Sequence, residues 1–357
     1  MEIQLINNTV FADYSELQVN DSIVNQITSH TAETWQPNRK TEERKNNTQQ
    51  GKEAEEIVET FIKEQFNAKI SLKSYDEIRN DDYEKHAPFD FLIWNSEEVD
   101  EKDIARIETS VKNDIEASQG KFVSLSECTR GLCRKSNVKI AEVKSTNIRD
   151  KLKEKAGFTG NYADIVSVEK LVDVIKKADD IFCYPHYKRS ETGDNYSIDD
   201  YCCYVKTREP SLAEYDGDEL REKVIELEAK KQCCDIFIRV YVDSGAKKGF
   251  VIGWMQRERL LDYKVVFKRM SQPGKSEKAL YFTKNLSETE SLMNIAEALE
   301  PNECVYASPY TTSNFYHRRR DCRFLADVKR EDIIVFQSEK EAIDNKRYTQ
   351  RCRNCFG

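Results

Sequence analysis

Long apolar runs are missing from this sequence. No stretch approaches the roughly 18 apolar residues of a membrane-spanning helix, so no transmembrane segment is expected. A Gly-rich phosphate loop is missing too, as is a G-x-S-x-G turn, which removes the usual signatures of NTPases, helicases and serine hydrolases. The N-terminus "MEIQLINNTVFADYSEL" has no basic region followed by an apolar one, so no secretory signal is expected. There is neither an internal repeat nor a low-complexity tract.

What remains is a chain of 357 residues, 39% hydrophobic and 34% charged, with a net charge of -8. The mean hydropathy of -0.73 fits a globular protein with a wet surface. Without a secretory signal, the 11 cysteines read as reduced intracellular thiols, with a few on a metal. The vicinal pairs Cys202-Cys203 and Cys233-Cys234 lack metal-ligand spacing and read as ordinary buried thiols. The charge is unevenly spread. "NSEEVDEKD" and "EYDGDELRE" are acidic, whereas "YHRRRDCR" and "KRYTQRCRNC" near the C-terminus are strongly basic. The acidic total argues mildly against a nucleic-acid partner, and the basic clusters argue back.

Along the chain, residues 1–48 form an N-terminal segment that starts strand-like and ends in the polar linker "QPNRKTEERKNNTQQG". From Gly51, the apolar positions Ala54, Ile57, Val58, Phe61 and Ile62 recur at helical spacing. "AKISLKSYDEI", "PFDFLIW" and "VKIAEVKST" read as strands, and "VDEKDIARIETSVKNDIEAS" as a helix inserted before the third. Helices are expected at "SVEKLVDVIKKA", "DGDELREKVIELEAKKQ" and "SETESLMNIAEALEP". "CDIFIRVYVDSGAKKGFVIGWM" reads as a hairpin. "CTRGLCRK" at 128–135 is expected to be a basic, DNA-facing loop, and His86 to be structural. The expected class is α/β, a mixed sheet flanked by helices. Its divisions are 1–48, a core at 49–270 with insertions near 96–136 and 150–210, a linker and helix at 271–303, and a Cys/His unit at 304–357.

Two of the expected strands carry acids where apolar residues belong. Asp90 interrupts "HAPFDFLIWN", and Glu142 and Lys144 interrupt "VKIAEVKST". Residues two apart on a strand share a face, so Glu142 and Lys144 do. Carboxylates at adjacent strand ends suit Mg²⁺, a hard cation that takes oxygen ligands and keeps several waters. An E-x-K triplet alone is more often an exposed pair on an edge strand. The weight lies in the ordered set: a helix with Glu55, a strand, a strand with Asp90, a strand with Glu142 and Lys144, then a helix and more strands.

This set resembles the PD-(D/E)XK, or restriction-endonuclease-like, nucleases. "PFD" at 88–90 is similar to the PD element with Phe89 placed between, and "EVK" at 142–144 to the (D/E)XK element. Gly51 and Glu55 match a first helix that begins with Gly and carries an acid four residues on. The hairpin led by Asp235 is similar to the strand pair closing many such folds. The likeness spans roughly residues 49–265, with long insertions after Asp90 and after Lys144 as departures. It implies that Asp90 and Glu142 bind Mg²⁺, that Lys144 positions or activates water, and that Glu55 is an outer ligand. Asp114 and Glu116 are weaker substitutes.

At the C-terminus His317, Cys322, Cys352 and Cys355 follow an H-x4-C … C-x2-C pattern, which suits tetrahedral Zn²⁺. "FQSEKEAIDNKRYTQRCRNC" resembles a small Ada-like zinc module often appended to nucleases, with Thr349 and Gln350 where Pro is usual. Arg318, Arg319, Arg320, Arg351 and Arg353 are candidate contacts for phosphate or guanine. Tyr316 and Tyr348 are expected to pack. The expectation is a cytoplasmic, prokaryotic, Mg²⁺-dependent DNA endonuclease acting on double-stranded DNA as a homodimer, of type II restriction character. A nuclease of repair intermediates and a modified-base reader remain as alternatives.

Overall fold

The computed structural model describes residues 1–16, 19–34, 40–148, 168–177, 179–183, 196–262, 264–269, 278–299, 305–310, 314–318, 322–328, 332–336 and 339–356. The chain forms two compact units, Met1–Leu299 and Glu300–Gly357.

The first unit is mixed α/β. Its strands are β1 (Glu2–Ile6), β2 (Thr9–Asp13), β3 (Ile70–Ser74), β4 (Phe91–Asn95), β5 (Lys139–Asn147), β6 (Asp179–Cys183), β7 (Ile236–Asp243), β8 (Lys248–Gln256), β9 (Lys264–Arg269) and β10 (Lys278–Asn285). Its helices are α1 (Asp21–Thr34), α2 (Thr41–Phe66), the single turn α3 (Tyr75–Ile78), α4 (Glu101–Ala117), α5 (Glu127–Lys135), α6 (Val168–Lys176), α7 (Ile198–Lys206), α8 (Gly217–Lys230) and α9 (Ala296–Leu299). Seven strands make one sheet in the order β1-β2-β8-β7-β5-β4-β3. β5 and β7 run parallel, and the other pairs of this sheet are antiparallel.

β7 is buried along its whole length because both sheet faces are covered. Ile236, Ile238, Val240 and Val242 meet Ala54, Ile57, Val58, Phe61 and Ile62 of α2 on one face. Phe237 and Tyr241 meet Ile107 and Val111 of α4, Val172 and Ile175 of α6, and Phe282 of β10 on the other. The period-two alternation of β7 and the helical stripe of α2 are thus two halves of one core.

Four expectations need correction. The "linker" before Gly51 is helix from Thr41. Between Pro37 and Gly51 there is no Pro or Gly, Glu42 and Glu43 sit at the positive end of the helix dipole, and α1 packs alongside. "CTRGLCRK" is helix α5 and not a loop. Ser126 caps it by accepting from Thr129 N, and the buried Asp114 accepts from Thr129 Oγ1 at 2.6 Å. "SETESLMNIAEALEP" breaks into two 3-10 turns and α9. The Asn285 side chain accepts from Ser287 N and that of Ser291 from Met293 N, while Glu290 makes a two-way backbone bridge with Trp254. Those bonds compete with a continuous helix. The stretch 271–303 holds β10, which joins β6 and β9 in an unforeseen three-stranded sheet.

The second unit is small. β11 (Val305–Ala307) pairs with β13 (Ile334–Phe336), and β12 (Phe315–Tyr316) pairs with β14 (Gln350–Arg351). Tyr316 and Tyr348 are buried in its core, as expected of packing residues. Among the described residues, no helix is long and apolar enough to cross a membrane.

Candidate functional sites

The first site lies where β4 and β5 part. Their pairing ends at Phe91↔Ala141, with Asp90 N donating to Ala141 O at 3.0 Å. Beyond that point β5 continues beside β7 alone. The next inward N–H of β5, on Val143, has no strand to bond. It donates to the Asp90 carboxylate at 2.6 Å. The Asp90 carbonyl is anchored by Tyr75 N at 2.8 Å. Asp90 is therefore held at the fork by strand hydrogen bonding, with its carboxylate against the strand of Glu142 and Lys144. Those two side chains, sharing a face, form an ion pair.

The helix α2 supplies Glu55. Lys52, one turn earlier, bridges Glu55 at 2.6 Å and Asp76 of α3 at 2.8 Å. Burial pushes the Asp90 carboxyl well above the usual range, and the negative charges of Glu55 and Glu142 push it further. Glu55 is raised as well, first by burial and then by Asp76, with Lys52 opposing. Carboxylates that repel one another in a half-buried fork would be relieved by a cation. As donors they are all oxygen, the set a hard divalent ion prefers. They are not drawn into a tight cage, however. Among the described residues, the only group of His, Cys, Asp or Glu with three or more ligand atoms all within 4.8 Å of one another lies in the C-terminal unit.

The other acids have evident structural work. Asp114 holds Thr129 and Ser126 N, and Glu116 accepts from Asn80. Asp235 accepts from Ile140 N at 3.0 Å and pairs with Arg257, so it pins β5 to the start of β7. Glu53 is fully buried and receives Tyr14, Gln49, Ser244 and Lys247. His86 stacks on Phe122, with ring centroids 5.0 Å apart. Sequence reasoning missed Lys52 and Asp76. The (i, i+3) spacing of Lys52 and Glu55 was readable, but Asp76 reaches them only through the turn after β3.

The second site gathers His317, Cys322, Cys352 and Cys355, as the H-x4-C … C-x2-C pattern predicts. His317 follows β12 and exchanges two backbone bonds with Tyr306, and Cys352 N donates to Tyr316 O just past β14. The β12–β14 pair thus brings the two halves of the pattern together. Cys322 Sγ lies 3.9 Å from Cys352 Sγ, and Cys355 Sγ lies 3.9 Å from His317 Nδ1. Ligands on a tetrahedral zinc with Zn–S near 2.3 Å stand about 3.8 Å apart, so the spacing fits. Burial lowers the His317 pKa, which favours the neutral imidazole that coordinates. Burial raises the Cys322 thiol, but hydrogen bonds from Phe324 N, Cys355, Asn354 and Cys352 outweigh it and the net shift is downward. The cluster can hold a metal such as zinc.

Of the candidate arginines, Arg318 and Arg353 are exposed, and Arg351 pairs with Glu339 at 2.6 Å. Arg319 and Arg320 lie outside the described residues. Residues 300–357 carry eleven Lys and Arg against nine Asp and Glu, while the rest of the chain carries 45 against 55. The net positive charge is thus confined to the C-terminal unit. Comparison with protein-family models, with curated proteins and with solved structures gives no match to this chain.

Proposed function

We propose that the chain is a Mg²⁺-dependent DNA endonuclease of the PD-(D/E)XK type, most closely a type II restriction enzyme. The observation that carries this reading is the fork. Asp90 leaves the β4–β5 pair, takes the Val143 N–H, and stands in the electrostatic field of Glu55 and Glu142 on the strand that also carries Lys144. The order of elements supports it: α2 with Glu55, then β3, β4 and β5, and later, after α8, β7 parallel to β5.

In this reading Asp90 and Glu142 hold the cation, with Glu55 behind them. Bound Mg²⁺ supplies a lowered water pKa and charge stabilisation on the phosphate. Lys144, next to Glu142, orients the attacking water and stabilises charge developing on the phosphate. Lys52 keeps Glu55 and Asp76 from repelling each other. The C-terminal unit holds structural zinc and offers Arg318 and Arg353 to the DNA backbone or to guanine. A homodimer would cut both strands with two-fold symmetry.

The test is incubation of pure protein with unmodified phage DNA, with Mg²⁺ or with EDTA, followed by sequencing of the ends. Discrete Mg²⁺-dependent fragments are expected. No cutting of either unmodified or methylated DNA would overturn the proposal.

A further inference from the structure

Cys233 and Cys234 lie in the short connection before β7, where both sulfurs face one carbonyl. Cys233 Sγ is 3.0 Å and Cys234 Sγ 3.6 Å from Pro88 O, two residues before Asp90. The sulfurs are 3.6 Å apart. Cys233 is half-buried and Cys234 is buried. A pair that reads from sequence as two inert core thiols is instead a dithiol seated on the segment that delivers Asp90 to the fork.

We propose that Cys233 and Cys234 form a reversible oxidation site, whose vicinal disulfide loosens Pro88–Asp90 from the fork. The oxidant class is a low-molecular-weight disulfide. Cys233, the more accessible sulfur, attacks as thiolate and expels one thiolate of the oxidant, leaving a mixed disulfide. Cys234 then loses its proton, and its sulfur displaces the second thiolate from Cys233. Two protein thiols are oxidised to one S–S bond, and the oxidant is reduced to two thiols once the released protons are taken up. When Cys233 ionises, the Cys234 thiol turns from Pro88 O to donate to it, which lowers the Cys233 pKa and helps the first step.

Oxidation removes both S–H donors from Pro88 O. It also draws the sulfurs to about 2.05 Å, which twists the peptide between them. Neighbouring Cα atoms stand about 3.8 Å apart, short of the roughly 4.4–6.8 Å of relaxed disulfides. Such a bond is strained and readily reduced, which suits a switch more than a structural staple. Its effect on cleavage rests on the nuclease reading; its formation and its effect on Asp90 do not.

The experiment uses the full zinc-loaded chain, reduced or treated with oxidised glutathione. Mass spectrometry follows the tryptic peptide "QCCDIFIR", and hydrogen exchange follows the Val143 amide, which donates to Asp90. The expected result is loss of two hydrogens within that peptide, at least about tenfold faster Val143 exchange, and reversal of both by dithiothreitol. Cleavage should fall in parallel and return, and Cys233→Ser should respond to oxidant in neither assay. A glutathione adduct without the internal disulfide, or a disulfide with unchanged Val143 exchange, would overturn the proposal. If the reduced protein cuts no DNA, the nuclease reading fails while mapping and exchange still decide the switch.

Discussion

At the scale of single residues, the fork makes opposite demands on Asp90 and Lys144. Lys144 is partly exposed and its ion partner is Glu142. Lys144→Ala should therefore cut at least about 100-fold more slowly while folding normally; single-turnover cleavage beside a thermal melt checks both halves. Asp90 is more costly to the fold. Its carboxyl is raised by burial and by Glu55 and Glu142. At low pH the group is neutral in both folded and unfolded chains and costs nothing. As pH rises the unfolded chain ionises first, stability falls, and the deficit persists once the folded carboxyl has ionised. Asp90→Asn keeps an oxygen for the Val143 N–H. In EDTA at pH 8 it should melt about 2 °C higher than the parent, with the gain vanishing as pH falls toward about 4. Added Mg²⁺ should raise the Tm of the parent and leave the variant unmoved. The types of these residues were legible in the sequence, since charged groups are rare within apolar runs, although Asp90 itself stands just before β4. That Asp90 takes a β5 amide was not, because it depends on where the two strands separate.

Among the elements, the C-terminal half of β8 shows how close packing overrides local pattern. A Cβ at Gly253 would overlap the Glu290 carbonyl and the Thr289 hydroxyl. One at Gly249 would overlap the end of the Ile57 side chain and lie at ordinary contact distance from the Tyr14 ring. Gly253→Ala should cost about 2 kcal/mol or more and Gly249→Ala clearly less, as read from urea midpoints. The same contact explains why "SETESLMNIAEALEP" is not one helix. Its apolar spacing suits a helix, but the Trp254 strand claims the Glu290 backbone and Trp254 Nε1 claims the Ser291 carbonyl at 2.9 Å. Where an element owed its form to its own sequence, as α2 did from Gly51 onward through its five-residue apolar stripe, it was legible. Where a neighbour decided, as for the three-stranded β6-β10-β9 sheet, it was not.

For the whole molecule, the division at Leu299 separates two kinds of stability. The first unit has a deep core on both faces of its sheet. Among its described residues the second buries few apolar side chains, so the four Cys and His side chains that can hold a metal would be its main fastening. Metal analysis should find about one zinc per chain, and Cys352→Ser should lose it. Chelation should unfold residues 300–357 while the main transition of residues 1–299 stays within about 2 °C; limited proteolysis would show the C-terminal unit alone being digested. Arg318→Ala and Arg353→Ala should each weaken DNA binding and flatten its salt dependence by about one unit of slope.

The α/β class, the placing of Glu142 and Lys144 on one strand and the Cys/His cluster could be read from the chain alone, because periodicity and ligand spacing act over short distances. Where the strands fork, that Asp76 sits with Lys52 and Glu55, and that two cysteines face the Pro88 carbonyl came from packing. Each of those brings together residues far apart in the chain, and such contacts are set by packing rather than by any local pattern.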